Sequence, residues 1–94
     1  MEHSVEKQFY DLLTSRRAAN VSRWGEQSAL VLQAVLMEEV GEVARALLEG
    51  KADHLRSEII DTAAVLLELF EKAEHYCSQV IKAIPHKGEN DGKG

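Results

Sequence analysis

Apolar residues recur along most of this chain at the three-and-four spacing of a helix. Val5, Phe9, Leu12 and Leu13 predict a first helix from about Ser4 to about Ala19. The stretch Asn20-Val21-Ser22-Arg23-Trp24-Gly25 breaks the pattern with turn-forming residues and reads as a loop. A second helix is expected from about Glu26 to Glu49, with Gly50 as its stop. Asp53 is placed to cap a third helix, which can run to about Ile84 before Pro85. The expected fold class is all-α: a helical bundle whose second and third helices form a long antiparallel hairpin. Residues 1–85 are read as one domain. The tail 86–94, rich in glycine and charge, is expected to be disordered.

The second helix is apolar nearly all round. On a helical wheel Leu32, Val35, Leu36, Val43 and Ala46 cluster about Glu39. Met37, Ala44 and Leu48 stand on the other side. Such a helix needs cover on two sides, which three helices in one small chain can hardly supply. The pattern therefore predicts a bundle completed by oligomerisation, as a homodimer or homotetramer. In the third helix Leu55, Ile59, Ala63, Leu66, Phe70, Ala73, Cys77, Ile81 and Ile84 make one stripe. His54, Glu58, Asp61, Glu68 and Lys72 mark the polar side, flanked by Ile60, Ala64 and Leu67. Phe9, Tyr10, Phe70 and Tyr76 are expected to be core residues.

Composition narrows the possible functions. The 94 residues are 45% hydrophobic but only 5% aromatic, with a single proline, a mixture suited to helices packed through aliphatic side chains. A net charge of −5 disfavours a nucleic-acid backbone or an anionic membrane as partner. It leaves room for a phosphate-bearing small molecule, because a bound divalent cation reverses the local sign. One cysteine, no basic-then-apolar N-terminus and no membrane-length apolar run lead to the expectation of a soluble cytoplasmic protein.

The chemistry is concentrated in Glu38-Glu39-Val40-Gly41-Glu42 and, fifteen residues later, Glu58-Ile59-Ile60-Asp61. Residues three apart on a helix are neighbours, so Glu39/Glu42 and Glu58/Asp61 are two carboxylate pairs, each on its own helix. Each pair lies at a similar distance from the Gly50 turn, so the hairpin brings the pairs to the same height, with Glu38 beside them. Crowded carboxylates raise one another's pKa, and burial of Glu39 adds desolvation. Hard cations balance such a cluster. With no Cys or His at ligand spacing, Mg²⁺, or Mn²⁺ in its place, is expected over Zn²⁺. The competing reading is a helical dimerisation or adaptor module with an acidic interaction patch, indifferent to divalent metal.

The pattern Glu38-Glu39-x-x-Glu42 followed by Glu58-x-x-Asp61 resembles the EExxE…ExxD signature of the all-α NTP pyrophosphatase superfamily. Leu36-Met37-Glu38-Glu39-Val40-Gly41-Glu42-Val43-Ala44 is similar to its MazG-like and dCTP-pyrophosphatase branches. The resemblance covers about residues 4 to 72. It implies a nucleoside triphosphate pyrophosphohydrolase that clears nucleotide pools, converting a (deoxy)NTP to the monophosphate and pyrophosphate. It implies Glu39, Glu42, Glu58 and Asp61 as Mg²⁺ ligands and Glu38 as the residue that orients or deprotonates the attacking water. A Trp near the position of Trp24 lines the base pocket in dCTP-pyrophosphatase relatives, and an aromatic plate stacks on any base. The further helix with phosphate-binding Asn, Lys and Arg found in several branches has no clear counterpart here. Among the cations, Arg16, Arg17 and Arg23 precede the motif helix and are placed to reach triphosphate oxygens. His54 shares a face with Asp61 and is expected to be an exposed residue near the helix start.

Overall fold

A computed structural model describes the backbone over residues 4–83 and the side chains over residues 4–75. Three helices account for nearly all of it, α1 Val5–Trp24, α2 Ala29–Glu49 and α3 Ala52–Ala83, with no strand among the described residues. The fold is all-α. The expectations for Ile84, Pro85, the tail 86–94 and the Tyr76, Cys77 and Ile81 side chains lie outside the described residues.

Caps set the helix boundaries. Ser4 opens α1, its hydroxyl accepting the Lys7 N–H at 3.0 Å, and Ser28 opens α2 by accepting that of Val31 at 3.2 Å. Gly25, at φ +76°, ends α1. The first helix therefore runs five residues past the expected end at Ala19, and the expected loop 20–25 is helical through Trp24. Asn20, Val21 and Ser22 each carry only a fraction of a kcal/mol of helix penalty, and nothing in that stretch removes a backbone donor. The true linker is Gly25–Ser28, so Glu26 lies before α2 and not in it. Gly50 takes the left-handed conformation (φ 70°, ψ 27°) and donates to the carbonyls of Ala46 and Leu47. Lys51 then starts α3 directly, its carbonyl accepting the Leu55 N–H at 2.8 Å. Asp53 consequently stands in the first turn rather than at the cap, where its charge still suits the positive end of the helix dipole.

α3 is the spine. Among the described residues α1 and α2 each pack on α3 and not on one another, which leaves a groove between them with α3 as its floor. α2 folds back antiparallel to α3 through Gly50, while α1 runs alongside, tied by Arg16 to Asp61 and by Arg17 to Glu71. Leu32, Ala46, Ile60, Ala64 and Val65 are buried. Full burial of a leucine such as Leu32 stabilises the fold by about 1.5–3 kcal/mol.

The buried side of α3 is not the stripe expected from the sequence. Ile59, Leu66 and Phe70 are exposed, whereas Ile60, Ala64 and Val65, on the flank of the polar line, form the core. The reason is that α1 and α2 cover the face carrying Glu58 and Asp61 and leave the smoother stripe open. Phe9 and Tyr10 are likewise exposed, as are Leu30, Met37, Val40, Leu47 and Leu48 on α2. A single chain leaves much of α2 uncovered, as its all-round apolarity predicts. No helix among the described residues is long and apolar enough to cross a membrane.

Candidate functional site

Two helices build the site. Glu39 projects from the middle of α2, and Glu58 and Asp61 project from neighbouring turns of α3. The hairpin places one carboxylate oxygen of each within 4.8 Å of the others. The side chains of Glu58 and Asp61 are only 15% and 28% exposed, so the cluster is partly shielded from water. Two nitrogen-bearing side chains stand at its rim. The Arg16 guanidinium of α1 donates to Asp61 Oδ1, and His54 Nε2 lies 3.3 Å from Glu58 Oε2 one turn away. His54 is exposed, as expected, but is in contact with the cluster.

Glu39 bears the cost of this crowding. Its pKa is pushed up to about 7, first by desolvation, then by the charges of Asp61 and Glu58, a hydrogen-bonding contact with Glu58, and the charge of Glu38. Three hard oxygen donors from two helices, with negative charge enough to hold a proton near neutrality, fit a divalent, oxygen-seeking cation.

The remaining predicted residues are placed differently. Glu42 does not join the trio; its carboxylate is held by Arg45, with Nη1 to Oε1 at 3.0 Å. Glu38 is exposed beside Glu39. Trp24 is 60% exposed at the end of α1, and the Arg23 guanidinium lies over its ring, 4.9 Å from the centroid. Among the described residues Arg23 forms no ion pair with the carboxylates. Arg16 is thus the one residue of the predicted substrate-binding set that the structure brings to the cluster. Its pairing with Asp61, forty-five residues away, has no local sequence signal. Glu68 also departs from the sequence pattern: it belongs to the polar line of α3 yet is only 7% exposed.

An all-α hairpin that converges acidic side chains from two helices defines a class of helical proteins with a carboxylate-lined centre. The family model for the MazG nucleotide pyrophosphohydrolase domain matches residues 27–90, about two thirds of the chain. The chain belongs to the MazG nucleotide pyrophosphohydrolase family. The match takes in α2, α3 and every carboxylate of the cluster, and it begins after α1. No curated protein and no solved structure gives a significant match.

Proposed function

We propose that this protein hydrolyses a (deoxy)nucleoside triphosphate to the monophosphate and pyrophosphate, in a Mg²⁺-dependent reaction that serves to clear the nucleotide pool. The observation that carries this reading is the convergence of Glu39, from α2, with Glu58 and Asp61, from α3. Those three would hold the cation, with Glu42 joining once it leaves Arg45. A cation bound there supplies charge neutralisation at the phosphate oxygens and makes a bound water more acidic.

The side chains provide the rest. Glu38, exposed beside Glu39, accepts a proton from the attacking water as its oxygen bonds to the α-phosphorus. The bond from that phosphorus to the bridging oxygen breaks, and pyrophosphate leaves with the electron pair. Arg16, already at the cluster, is the cation best placed to meet phosphate oxygens entering beside Asp61. The groove between α1 and α2 orients the substrate. A second copy of the chain covers the open apolar faces of α2 and α3, giving a homodimer or homotetramer.

Pyrophosphate release from a panel of NTPs and dNTPs, with Mg²⁺ and with EDTA, tests this reading. Metal-dependent release from at least one triphosphate is expected. Release of orthophosphate only, or none from any of them, overturns it.

A further inference from the structure

A cavity of about 670 Å³ opens in the same groove, two turns of α3 beyond the carboxylate cluster. It is bounded by Arg17 of α1, Glu26 of the linker, Ala29 at the start of α2, and Glu68, Leu69 and Ala73 of α3. Its volume is within the range of small-molecule sites, about 300–1,000 Å³. Asp61 and Glu68 are a heptad apart, so they share a face of α3 to within about 20°. At 1.5 Å per residue they are about 10.5 Å apart along the helix. That separation suits a nucleotide whose α-phosphate sits at Asp61 and whose base reaches Glu68.

Glu68 is the unusual wall residue. It is 7% exposed, yet among the described residues it makes no hydrogen bond and no ion pair. The two nearby cations are committed elsewhere: Arg17 pairs with Glu71, and Lys72 Nζ lies 3.6 Å from Glu26. The Glu68 carboxylate oxygens keep access to the cavity and meet no protein donor among the described residues, so they can accept donors from a ligand there. Its desolvation raises its pKa, opposed by the charges of Arg17 and Lys72.

We infer that this cavity receives the nucleoside of the substrate and that Glu68 selects a guanine-type base, accepting its adjacent ring N–H and amino N–H together. This assignment rests on the nucleotide reading above. A carboxylate offers two parallel acceptors, and guanine presents two parallel donors on one edge. Adenine and cytosine set a ring nitrogen lone pair against one of those acceptors, and thymine and uracil flank their single N–H with carbonyl oxygens. Ala29, Leu69 and Ala73 supply the apolar wall against the base.

The test uses nucleosides without phosphate, in EDTA, so that neither metal nor turnover is needed. Amide shifts of the intact ¹⁵N-labelled chain are followed during titration with deoxyguanosine, deoxyadenosine, deoxycytidine and thymidine. Deoxyguanosine is expected to move the amides of Ala29, Leu69 and Ala73 and to bind at least about tenfold tighter than thymidine. Glu68→Gln, which exchanges one of the two acceptors for a donor, should lose that preference. Base-blind binding by the wild-type chain, binding mapped elsewhere, or a preference that survives Glu68→Gln overturns the assignment. The wild-type panel decides even if the variant folds poorly. Absence of pyrophosphate release would count against the proposed reaction and would leave the nucleoside result to stand or fall separately.

Discussion

Arg16 on α1 donates to Asp61 on α3, placing a fixed positive charge on a carboxylate of the Glu39–Glu58–Asp61 cluster. The helix that carries this charge lies outside the stretch matched by the family. A guanidinium and a divalent cation compete for the same oxygen lone pairs and repel each other. Arg16→Gln should therefore tighten Mn²⁺ binding, by about several-fold for one partly solvated unit charge. If Arg16 also meets the phosphates, the same variant raises KM for the triphosphate. Calorimetric Mn²⁺ titration separates the two effects, and weaker Mn²⁺ binding in Arg16→Gln would show that Arg16 supports the site and does not compete for it.

The carboxylates are not equivalent. Glu39, Glu58 and Asp61 already converge, whereas Glu42 is tied to Arg45. Glu39→Gln and Asp61→Asn should keep full helical circular dichroism and lose at least about a hundredfold in pyrophosphate release. Glu42→Gln should lose less, since its carboxylate must first leave a partner. Near-normal turnover in either of the first two would remove that residue from the metal-binding set.

How far the chain could be read in advance is clearest at particular residues. The all-α class and the hairpin follow from helical spacing and from Gly50, whose left-handed φ the sequence signals directly. Glu39, Glu58 and Asp61 were legible because helical spacing and hairpin register are local rules. Glu42 obeys the same rules, yet a competing partner three residues away holds it off the cluster. The buried side of α3 was not legible. Ile59, Leu66 and Phe70 form the more regular stripe, but tertiary packing covers Ile60, Ala64 and Val65. Asn20 and Ser22 suggest a turn that would put Trp24 in a loop, whereas only Gly25 adopts a backbone conformation that ends the helix. Arg16–Asp61 and the burial of Glu68 depend on how α1 lies along α3, which spacing within one helix cannot encode.

The open apolar stripe of α3 makes its own prediction. Leu66 is 49% exposed in the single chain. A surface substitution of this kind ordinarily changes stability by no more than about 0.5 kcal/mol. If a second copy covers the stripe, Leu66→Glu buries an unpaired charge at the interface and should shift sedimentation toward monomer, with a melting temperature that falls on dilution of the wild type. A wild-type chain that sediments as a stable monomer, unaffected by Leu66→Glu, would leave the proposed oligomer without support.

The last prediction concerns pH. Glu39 has an ordinary pKa of 4.5 when exposed and about 7 in the fold, because burial and the charges of Asp61 and Glu58 favour its neutral form. Between those values the folded chain holds a proton that the unfolded chain has released. Stability therefore falls as pH rises from about 4.5 to about 7, and the favourable contribution of protonated Glu39 is fully present only at the acid end. In EDTA the melting temperature of the wild type should decline across this window more steeply than that of Glu39→Gln, whose amide cannot ionise. Mg²⁺ should act with the opposite pH dependence. It binds the ionised cluster, so its stabilisation should be largest above pH 7 and shrink as protons compete for the same oxygens. In Glu39→Gln both the steep decline and most of the Mg²⁺ gain should be lost together, since one carboxylate underlies both. Melting curves of both chains at pH 5, 6, 7 and 8, with EDTA and with millimolar Mg²⁺, test both effects. Parallel pH profiles for wild type and Glu39→Gln in EDTA would mean that Glu39 takes up no extra proton on folding and that its raised pKa is wrong.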